Sequence, residues 1–279
     1  MSNQRTSKRS HLWPRHVTVG LISGFLALHV GAQAALSQDS SKRSQLKTAN
    51  AFRVDADIYS DVKKQPIKHT LTLFSESVYY DFEDGDSGRV TVIDVGRNRI
   101  VLLDRERKVK SFVSTEEIQL TIANARVQAD AKLSAATLKD FQNLPSGETV
   151  AVVSNDSIEY RSTLASPTTP DMSAQYAEFA NWSARLNSIY APMPPYLRLD
   201  LNELIASRKM MPKEITRITR KGLRQNQLIS RLRVIDRLSE DDRSKIARVG
   251  AMMAEFREVS VGEYWHQPAV VSASATEAK

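Results

Sequence analysis

Between residues 51 and 113 the chain carries six short segments in which apolar and polar residues alternate. The first, FRVDADIY, places Phe52 and Val54 on one side and Arg53 and Asp55 on the other. This two-residue period is typical of a β-strand. The other segments are IKHTLTLFS, SVYYDFE, RVTVIDV, RIVLLD and VKSFV. The intervals are too short for crossover helices, so the pattern predicts an antiparallel meander.

The remaining chain mixes helical and extended patterns. Ser114 and Glu117 have the spacing of a capping box and predict a helix start. TLKDFQNL is interpreted as a further helical turn, followed by strands at TVAVVSN and SIEYRSTLA. Further strands are predicted around EITRITR and QLISRLRVI, and a short helix around LRLDLNELIASRKM. Ser239 predicts the start of a last helix, whose first turn contains acids that suit the helix dipole.

An aromatic stripe marks the helix predicted within MSAQYAEFANWSARLNSIY. Tyr176, Phe179, Trp182 and Leu186 recur at helical spacing. Such a stripe predicts the face that packs against the sheet.

The N-terminus has the features of a secretory signal peptide. Basic residues precede the apolar run VTVGLISGFLALHVGA, which ends in the small-x-small pattern Ala32-Gln33-Ala34. This pattern predicts cleavage between Ala34 and Ala35. The run is shorter than the roughly 20 residues of a membrane span, and no twin-arginine pair is present. We therefore expect export by the general secretory route to the periplasm or the extracellular space, with no transmembrane segment after signal removal.

Export changes what the net charge implies. Four of the +7 charges lie in the leader, which leaves about +3 for the rest of the chain. A basic pI is therefore weak support for nucleic-acid binding, and we expect none. The chain has no cysteine, so thiol catalysis, Cys-ligated metals and disulfides are excluded.

The acid-rich stretch YYDFEDGDSG raises the question of a calcium loop. Asp81, Glu83, Asp84 and Asp86 surround two glycines, but the twelfth position counted from Asp81 is Val92 instead of the bidentate Glu of an EF-hand. GDSG favours a turn. We therefore predict a β-hairpin tip, with a weak surface cation site as the alternative.

Residues for catalysis are scarce. After signal removal only His69 and His266 remain, and no nucleophile elbow, phosphate loop or dinucleotide fingerprint occurs. We predict no catalytic residues, no metal and no cofactor, and hence a protein that is not an enzyme. An unrecognised hydrolase built on paired carboxylates stays open.

Residues 208–233 are strongly basic. The members of a candidate patch for an anionic partner are Arg217, Arg220, Lys221, Arg224, Arg231 and Arg233. They fit anionic lipid head groups or another envelope polyanion, or else form the solvent face of a sheet. The segment has no aromatic residues for base stacking.

The segment TLTLFSESVYYDF, followed by VTVIDVGRNRIVLLDRERKVKSFVS and a capped helix, resembles exported lipoprotein carriers of the LolA type. It also resembles uncharacterised exported bacterial proteins built on this plan. The resemblance covers roughly residues 67–113. It implies a curved antiparallel half-barrel whose concave apolar face accepts acyl chains under helices.

We therefore predict an α+β fold: a curved, half-barrel-like antiparallel sheet of about eight to ten strands, with three or four helices packed on one face. The expected layout is a signal peptide (1–34), a polar tether (35–50), a single domain (51–265) and a disordered tail (266–279). The first functional hypothesis is a soluble carrier or binding protein for a lipid or acylated partner. The alternative is an envelope structural or interaction protein that acts through the basic surface at 208–233 and has no ligand cavity.

Overall fold

The structure is a computed structural model. It describes residues 51–60, 65–83, 88–133, 138–190, 193–222 and 224–265. The predicted signal peptide, its cleavage site at Ala34 and Ala35, the tether and the tail lie outside the described residues.

One mostly antiparallel sheet holds all the strands that the structure describes. They are β1 (Phe52–Ser60), β2 (Lys68–Ser75), β3 (Val78–Glu83), β4 (Arg89–Asp94), β5 (Arg99–Asp104), β6 (Val109–Ser114), β7 (Leu138–Asn143), β8 (Thr149–Ser154), β9 (Ile158–Ala165), β10 (Met211–Lys221), β11 (Arg224–Ile235) and β12 (Arg257–Glu258). The spatial order is β12-β6-β5-β4-β3-β2-β1-β11-β10-β9-β8-β7. Two meanders, β1–β6 and β7–β11, are thus joined edge to edge by the antiparallel pair β1–β11.

The helices lie in the connections between strands. They are α1 (Thr115–Leu133), α2 (Pro170–Tyr190), α3 (Tyr196–Ser207), α4 (Glu240–Glu255) and α5 (Val261–Trp265). Helices α2 and α3 are inserted between β9 and β10, which nevertheless pair directly. The chain therefore leaves the sheet after β9, forms a helical hairpin and returns to the neighbouring position.

The connection from β6 to β7 requires the sheet to curve. These strands stand ten positions apart, about 48 Å in a flat sheet. Helix α1 has 19 residues and spans about 28 Å, and the four residues after it add at most about 13 Å. Because the connection is shorter than the flat sheet, the two edges must approach each other.

A row of apolar side chains defines the face that α1 crosses, here called the inner face. Its members face one another across six strands: Phe52, Phe74, Tyr79, Ile93, Ile100 and Val113. Phe52 and Phe74 stack with ring centroids 4.0 Å apart. Ile118 of α1 and Met172 of α2 pack into the same core. The inner face is concave, because the chord of a curved sheet lies on its concave side.

The opposite face, here called the outer face, has a core of its own. Leu73, Val92 and Val101 alternate with the inner row and pack against Val249 of α4. The prediction that the helices lie on one face is therefore wrong for α4. Strands β2–β6 carry apolar residues on both faces, so α4 covers the side that α1 and α2 leave open.

The fold class is confirmed as α+β with an open, curved and mostly antiparallel sheet, but the details differ from the prediction. The sheet has twelve strands among the described residues, above the predicted eight to ten, and five α-helices occur instead of three or four. TLKDFQNL contains β7 and no helical turn, because pairing with β8 outweighs its weak local preference. Ser239 and Asp242 form the capping box of α4.

Candidate ligand cavity

A cavity of about 390 Å³ lies between the inner face and helices α2 and α3. Strands β1, β2, β3, β9, β10 and β11 form its floor, and the helical hairpin forms its roof. Most of the lining residues are apolar. Ligand sites in proteins usually measure about 300–1,000 Å³ and are lined in this way. The cavity thus has the size and character of a site for a small ligand.

Strand alternation supplies the apolar floor. Val54, Ala56 and Ile58 are every second residue of β1 and all line the cavity. Leu228 and Leu232 on neighbouring β11 do the same, because Ala56 stands opposite Leu232 in the antiparallel register. The sequence predicted this alternation in β1. It did not show that part of the inner face would lack a filling side chain.

Small residues on α2 leave the space open. The cavity wall contains five of them at the i, i+3, i+4, i+7 and i+8 positions of one helical face: Ala180, Ser183, Ala184, Asn187 and Ser188. Side chains at this spacing lie above one another. The sequence does carry this signal, but the aromatic residues at overlapping positions obscured it.

The aromatic stripe is mostly core, as predicted. Tyr176, Trp182 and Leu186 are buried. Phe179 is partly buried and packs edge-on against Phe74, with ring centroids 5.5 Å apart. Tyr176 and Phe179 also form part of the cavity wall, so one side of the stripe is both core and lining.

Asp81 places a carboxyl group at the β3 end of the cavity. Its Oδ1 accepts a hydrogen bond of 2.7 Å from the Thr72 hydroxyl. Burial raises the pKa of Asp81 to about 6, and nearby Glu83 raises it too, whereas the Thr72 hydrogen bond and Lys68 lower it. Asp81 stands directly opposite Thr72 in the register of β2 and β3, and both residues line the cavity. This acid, which belongs to the candidate calcium loop, therefore points into the cavity.

The hairpin prediction for this stretch is confirmed on both sides of its tip, since β3 and β4 pair antiparallel. Residues 84–87, with Asp84 and Asp86, lie outside the described residues. In the part of the chain that the structure describes, no group of three or more acids or histidines could hold a metal ion.

Arg217 stands at the β10 end of the cavity. Its Nη1 lies 3.4 Å from the sulfur of Met193, and the Tyr160 hydroxyl lies 3.8 Å from the same sulfur. Arg198 of α3 is the second arginine of the lining and interacts with the Tyr176 hydroxyl. The cavity therefore carries acidic and basic groups on different parts of its wall.

The six residues of the predicted basic patch do not form one surface. Arg217 lines the cavity on the inner face. On the outer face Arg220 pairs with Glu159 at 2.6 Å and Arg231 with Glu214 at 3.1 Å.

Arg233 also lies on the outer face, where it pairs with Asp55 at 3.0 Å. Lys221 and Arg224 face each other at the tip of the β10–β11 hairpin. Neither has an ionic partner among the described residues. Binding of a polyanion stays a prediction, and apart from Arg217 in the cavity these two residues are the members of the patch whose positive charge is not paired in the described structure.

His69 lies on β2, where its Nδ1 is 2.8 Å from Asp57 Oδ1, and both side chains are about half exposed. No serine, threonine or lysine nucleophile is paired with this histidine in the described residues. His266 is outside them. The structure thus shows His69 as one member of a surface pair on the outer face.

Neither a scan against protein-family models nor a search of curated proteins finds a match to this chain. No helix within the described ranges is long and apolar enough to cross a membrane. The chemistry of the cavity is therefore the basis on which a function can be proposed.

Proposed function

We propose that the protein is an exported, non-enzymatic carrier or binding protein of the cell envelope. The ligand is a lipid, or the acyl chain of an acylated partner, and the cavity under α2 and α3 holds it. The cavity carries this proposal, because it is a partly open cleft of about 390 Å³ with mostly apolar walls, and its size and lining are those of small-ligand sites.

Two further features support the same function. The small-residue stripe on α2 keeps the space open by sequence, since larger side chains at those positions would fill it. The cavity also lies on the concave face, where the resemblance to LolA-type carriers implies acyl binding. Each methylene group buried there contributes about 0.8 kcal/mol, so affinity should rise about fourfold per added carbon until the chain outgrows the cavity.

The first experiment is native mass spectrometry of the protein, purified without detergent from a host that exports it, followed by organic extraction. A stoichiometric lipid-sized adduct that is lost on denaturation is the expected result. A bare mass together with no uptake of a fluorescent fatty acid would overturn the proposal. It would favour the alternative, an interaction protein that acts through the basic surface at 208–233.

A matched pair of variants on α2 tests whether uptake uses this cavity. Ala184 lines the cavity, whereas Ala174 is exposed on the same helix. Ala184→Phe should fill the space and lower fatty-acid uptake at least tenfold, while Ala174→Phe should leave it unchanged. Equal uptake by both variants would place the ligand elsewhere.

A further inference from the structure

Two charged side chains without ionic partners line the same cavity. The only hydrogen bond that Asp81 makes among the described residues comes from the Thr72 hydroxyl. Arg217 contacts the sulfur of Met193 and has no acidic partner in the described part of the chain. Both side chains are only partly exposed, and proteins normally pair charge that has lost part of its contact with water.

The register places these two groups at opposite ends of the cavity. Asp81 lies on β3 and Arg217 on β10, which are four strands apart in the sheet order. Four strand spacings measure about 19 Å along the sheet. Arg217 is also displaced along the strands, since it stands opposite Leu228, whereas the row of Asp81 and Thr72 continues through Val54 to Val234. The two charges therefore cannot neutralise each other.

Mostly apolar side chains occupy the floor between the two ends, with the hydroxyl groups of Thr70 and Ser230 among them. Ala56, Ile58 and Leu232 stand on the intervening strands β1 and β11. Arg198 lies beside Tyr176 on the roof, and it is not among the groups that shift the pKa of Asp81. The wall is thus ordered as acid, apolar stretch and guanidinium.

Resting on the proposed function, we propose that the ligand of this cavity is a bipolar amphiphile. One end carries an amine or another hydrogen-bond donor that binds the Asp81 carboxyl. The other end carries an acidic group, a carboxylate or phosphate, that binds the Arg217 guanidinium, and an apolar chain joins the two.

The electrostatics of the free cavity agree with this chemistry. Burial raises the pKa of Asp81 to about 6, so at neutral pH the carboxylate is held against a desolvation cost that a ligand cation would offset. Arg217 supplies a planar guanidinium cation with a rigid fork of N–H donors. A guanidinium can bind a carboxylate or phosphate through two parallel hydrogen bonds, and a thioether sulfur is a poor substitute for such an acceptor.

The test uses four probes with the same twelve-carbon chain: dodecanol, dodecylamine, dodecanoate and 12-aminododecanoate. Each is titrated at neutral pH, below its critical micelle concentration, into the wild type, Asp81→Asn and Arg217→Gln. Dodecanol has no charge, and its hydroxyl can donate a hydrogen bond to an Asp or an Asn side-chain oxygen alike, so it should bind all three proteins with similar affinity. Its binding therefore reports both the cavity and the folded state of the variants.

The charged probes should separate the two ends. Asp81→Asn should weaken dodecylamine about tenfold or more and leave dodecanoate unweakened, because a charged hydrogen bond is lost only with the amine. Arg217→Gln should do the reverse. 12-aminododecanoate should lose affinity in both variants, and a series from eight to sixteen carbons should show one optimal length.

The outcomes distinguish the two proposals. Failure of the wild type to bind dodecanol would refute the carrier function itself. Binding of dodecanol by all three proteins, with amine and carboxylate affinities that ignore both substitutions, would refute the bipolar ligand and leave the carrier function standing.

Discussion

The arginines of the outer face and the charges at the two ends of the cavity differ in their ion pairing. On the outer face the arginines of β1, β10 and β11 form ion pairs with carboxylates: Arg53, Arg220, Arg231 and Arg233. On the inner face Asp81 and Arg217 point into a cavity without such partners. Paired charge on the outer face is consistent with a structural role, whereas the two unpaired charges of the cavity are better explained by a ligand.

The outer face also has a cavity, in which the most buried charged side chains form ion pairs. A space of about 220 Å³ under α4 is lined by Arg53, Asp55 and Arg248 among others. There Arg53 bridges Asp55 at 2.6 Å and Asp242 at 3.0 Å. Arg53 and Asp55 therefore have ionic partners in this second space, whereas Arg248 lies on the exposed side of α4.

The largest effect should come from breaking the outer-face network at Asp242. This side chain is fully buried, pairs with Arg53 and closes the capping box with Ser239. Asp242→Ala should lower the free energy of unfolding by about 3–5 kcal/mol, measured by urea denaturation. Asp241→Ala, one residue away on the exposed side of α4, should cost less than about 1 kcal/mol. Equal costs for the two variants would contradict a structural role for the buried pair.

The pH dependence of this network has a definite sign. Burial alone would raise the pKa of Asp242, but its hydrogen bonds with Ser239 and the charge of Arg53 hold it below the usual range. A carboxyl group whose pKa is lower in the folded than in the unfolded state stabilises the fold at pH values above its unfolded pKa. This contribution is lost as the pH falls through the folded pKa. The difference between wild type and Asp242→Ala should therefore shrink below about pH 4.

On the inner face, the loss of a carboxylate should raise the free energy of unfolding instead of lowering it. Asp81→Asn removes an uncompensated charge and keeps the shape of the side chain, so it should stabilise the ligand-free protein at pH 7. The pKa of about 6 compared with an ordinary 3.8 corresponds to at most about 3 kcal/mol. Asp57→Asn, on the outer side of β1 and two strands away from Asp81, serves as control and should not stabilise. A destabilising Asp81→Asn would mean that the carboxylate contributes to the fold.

The pH dependence of wild-type stability follows from the pKa of Asp81, which is higher in the folded than in the unfolded state. The folded state then binds the proton more tightly, so wild-type stability is fully present below about pH 4 and declines until about pH 6. Relative to Asp81→Asn, the wild type should lose stability across this interval and stay level above it. Chemical denaturation of both proteins from pH 4 to pH 8 measures the difference.

The sequence was a good guide to the sheet and a poor guide to the cavity. Alternation predicted β1–β6 correctly, because period-two patterns report directly which face of a strand is buried. It could not show that β1 pairs with β11, since that contact joins residues about 180 positions apart. It placed Asp81 in the strand segment SVYYDFE beside a hairpin tip, but it did not show that this side chain lines a cavity.

Helix placement was equally hidden. The helix that Ser239 begins was predicted, but the choice of the outer face depends on where β1–β6 expose Leu73 and Val101. The cavity arises from small residues on α2 that look unremarkable without the sheet beneath them. Both features depend on tertiary geometry, which local spacing does not encode.

A hydrogen bond between Tyr79 and Glu178 on the inner face should have an effect of intermediate size on stability. The buried Tyr79 hydroxyl donates a hydrogen bond of 2.5 Å to Glu178 Oε2 on α2. Tyr79→Phe should lower the free energy of unfolding by about 1 kcal/mol. Tyr80→Phe, one residue further on the opposite face, has no such hydrogen bond among the described contacts and should change stability less. Indistinguishable unfolding curves for the two variants would argue against this bond as a link between α2 and the sheet.

The smallest effect on the fold should come from the basic patch, and its two parts should differ in binding. Lys221 and Arg224 at the hairpin tip have no ionic partner in the described structure, whereas Arg220 and Arg231 do. The double variants Lys221→Gln/Arg224→Gln and Arg220→Gln/Arg231→Gln remove the same charge and should both leave thermal unfolding nearly unchanged.

Co-sedimentation with anionic vesicles at low salt then compares the two surfaces. A vesicle responds to the local excess of positive charge, and each basic residue near its surface contributes about 1 kcal/mol. Lys221→Gln/Arg224→Gln should therefore lose most of the salt-sensitive binding to the vesicles, whereas Arg220→Gln/Arg231→Gln should keep it. If vesicle binding instead requires Arg220 and Arg231, ion pairing does not neutralise the outer surface. The contrast between the two faces would then depend on burial and not on ion pairing.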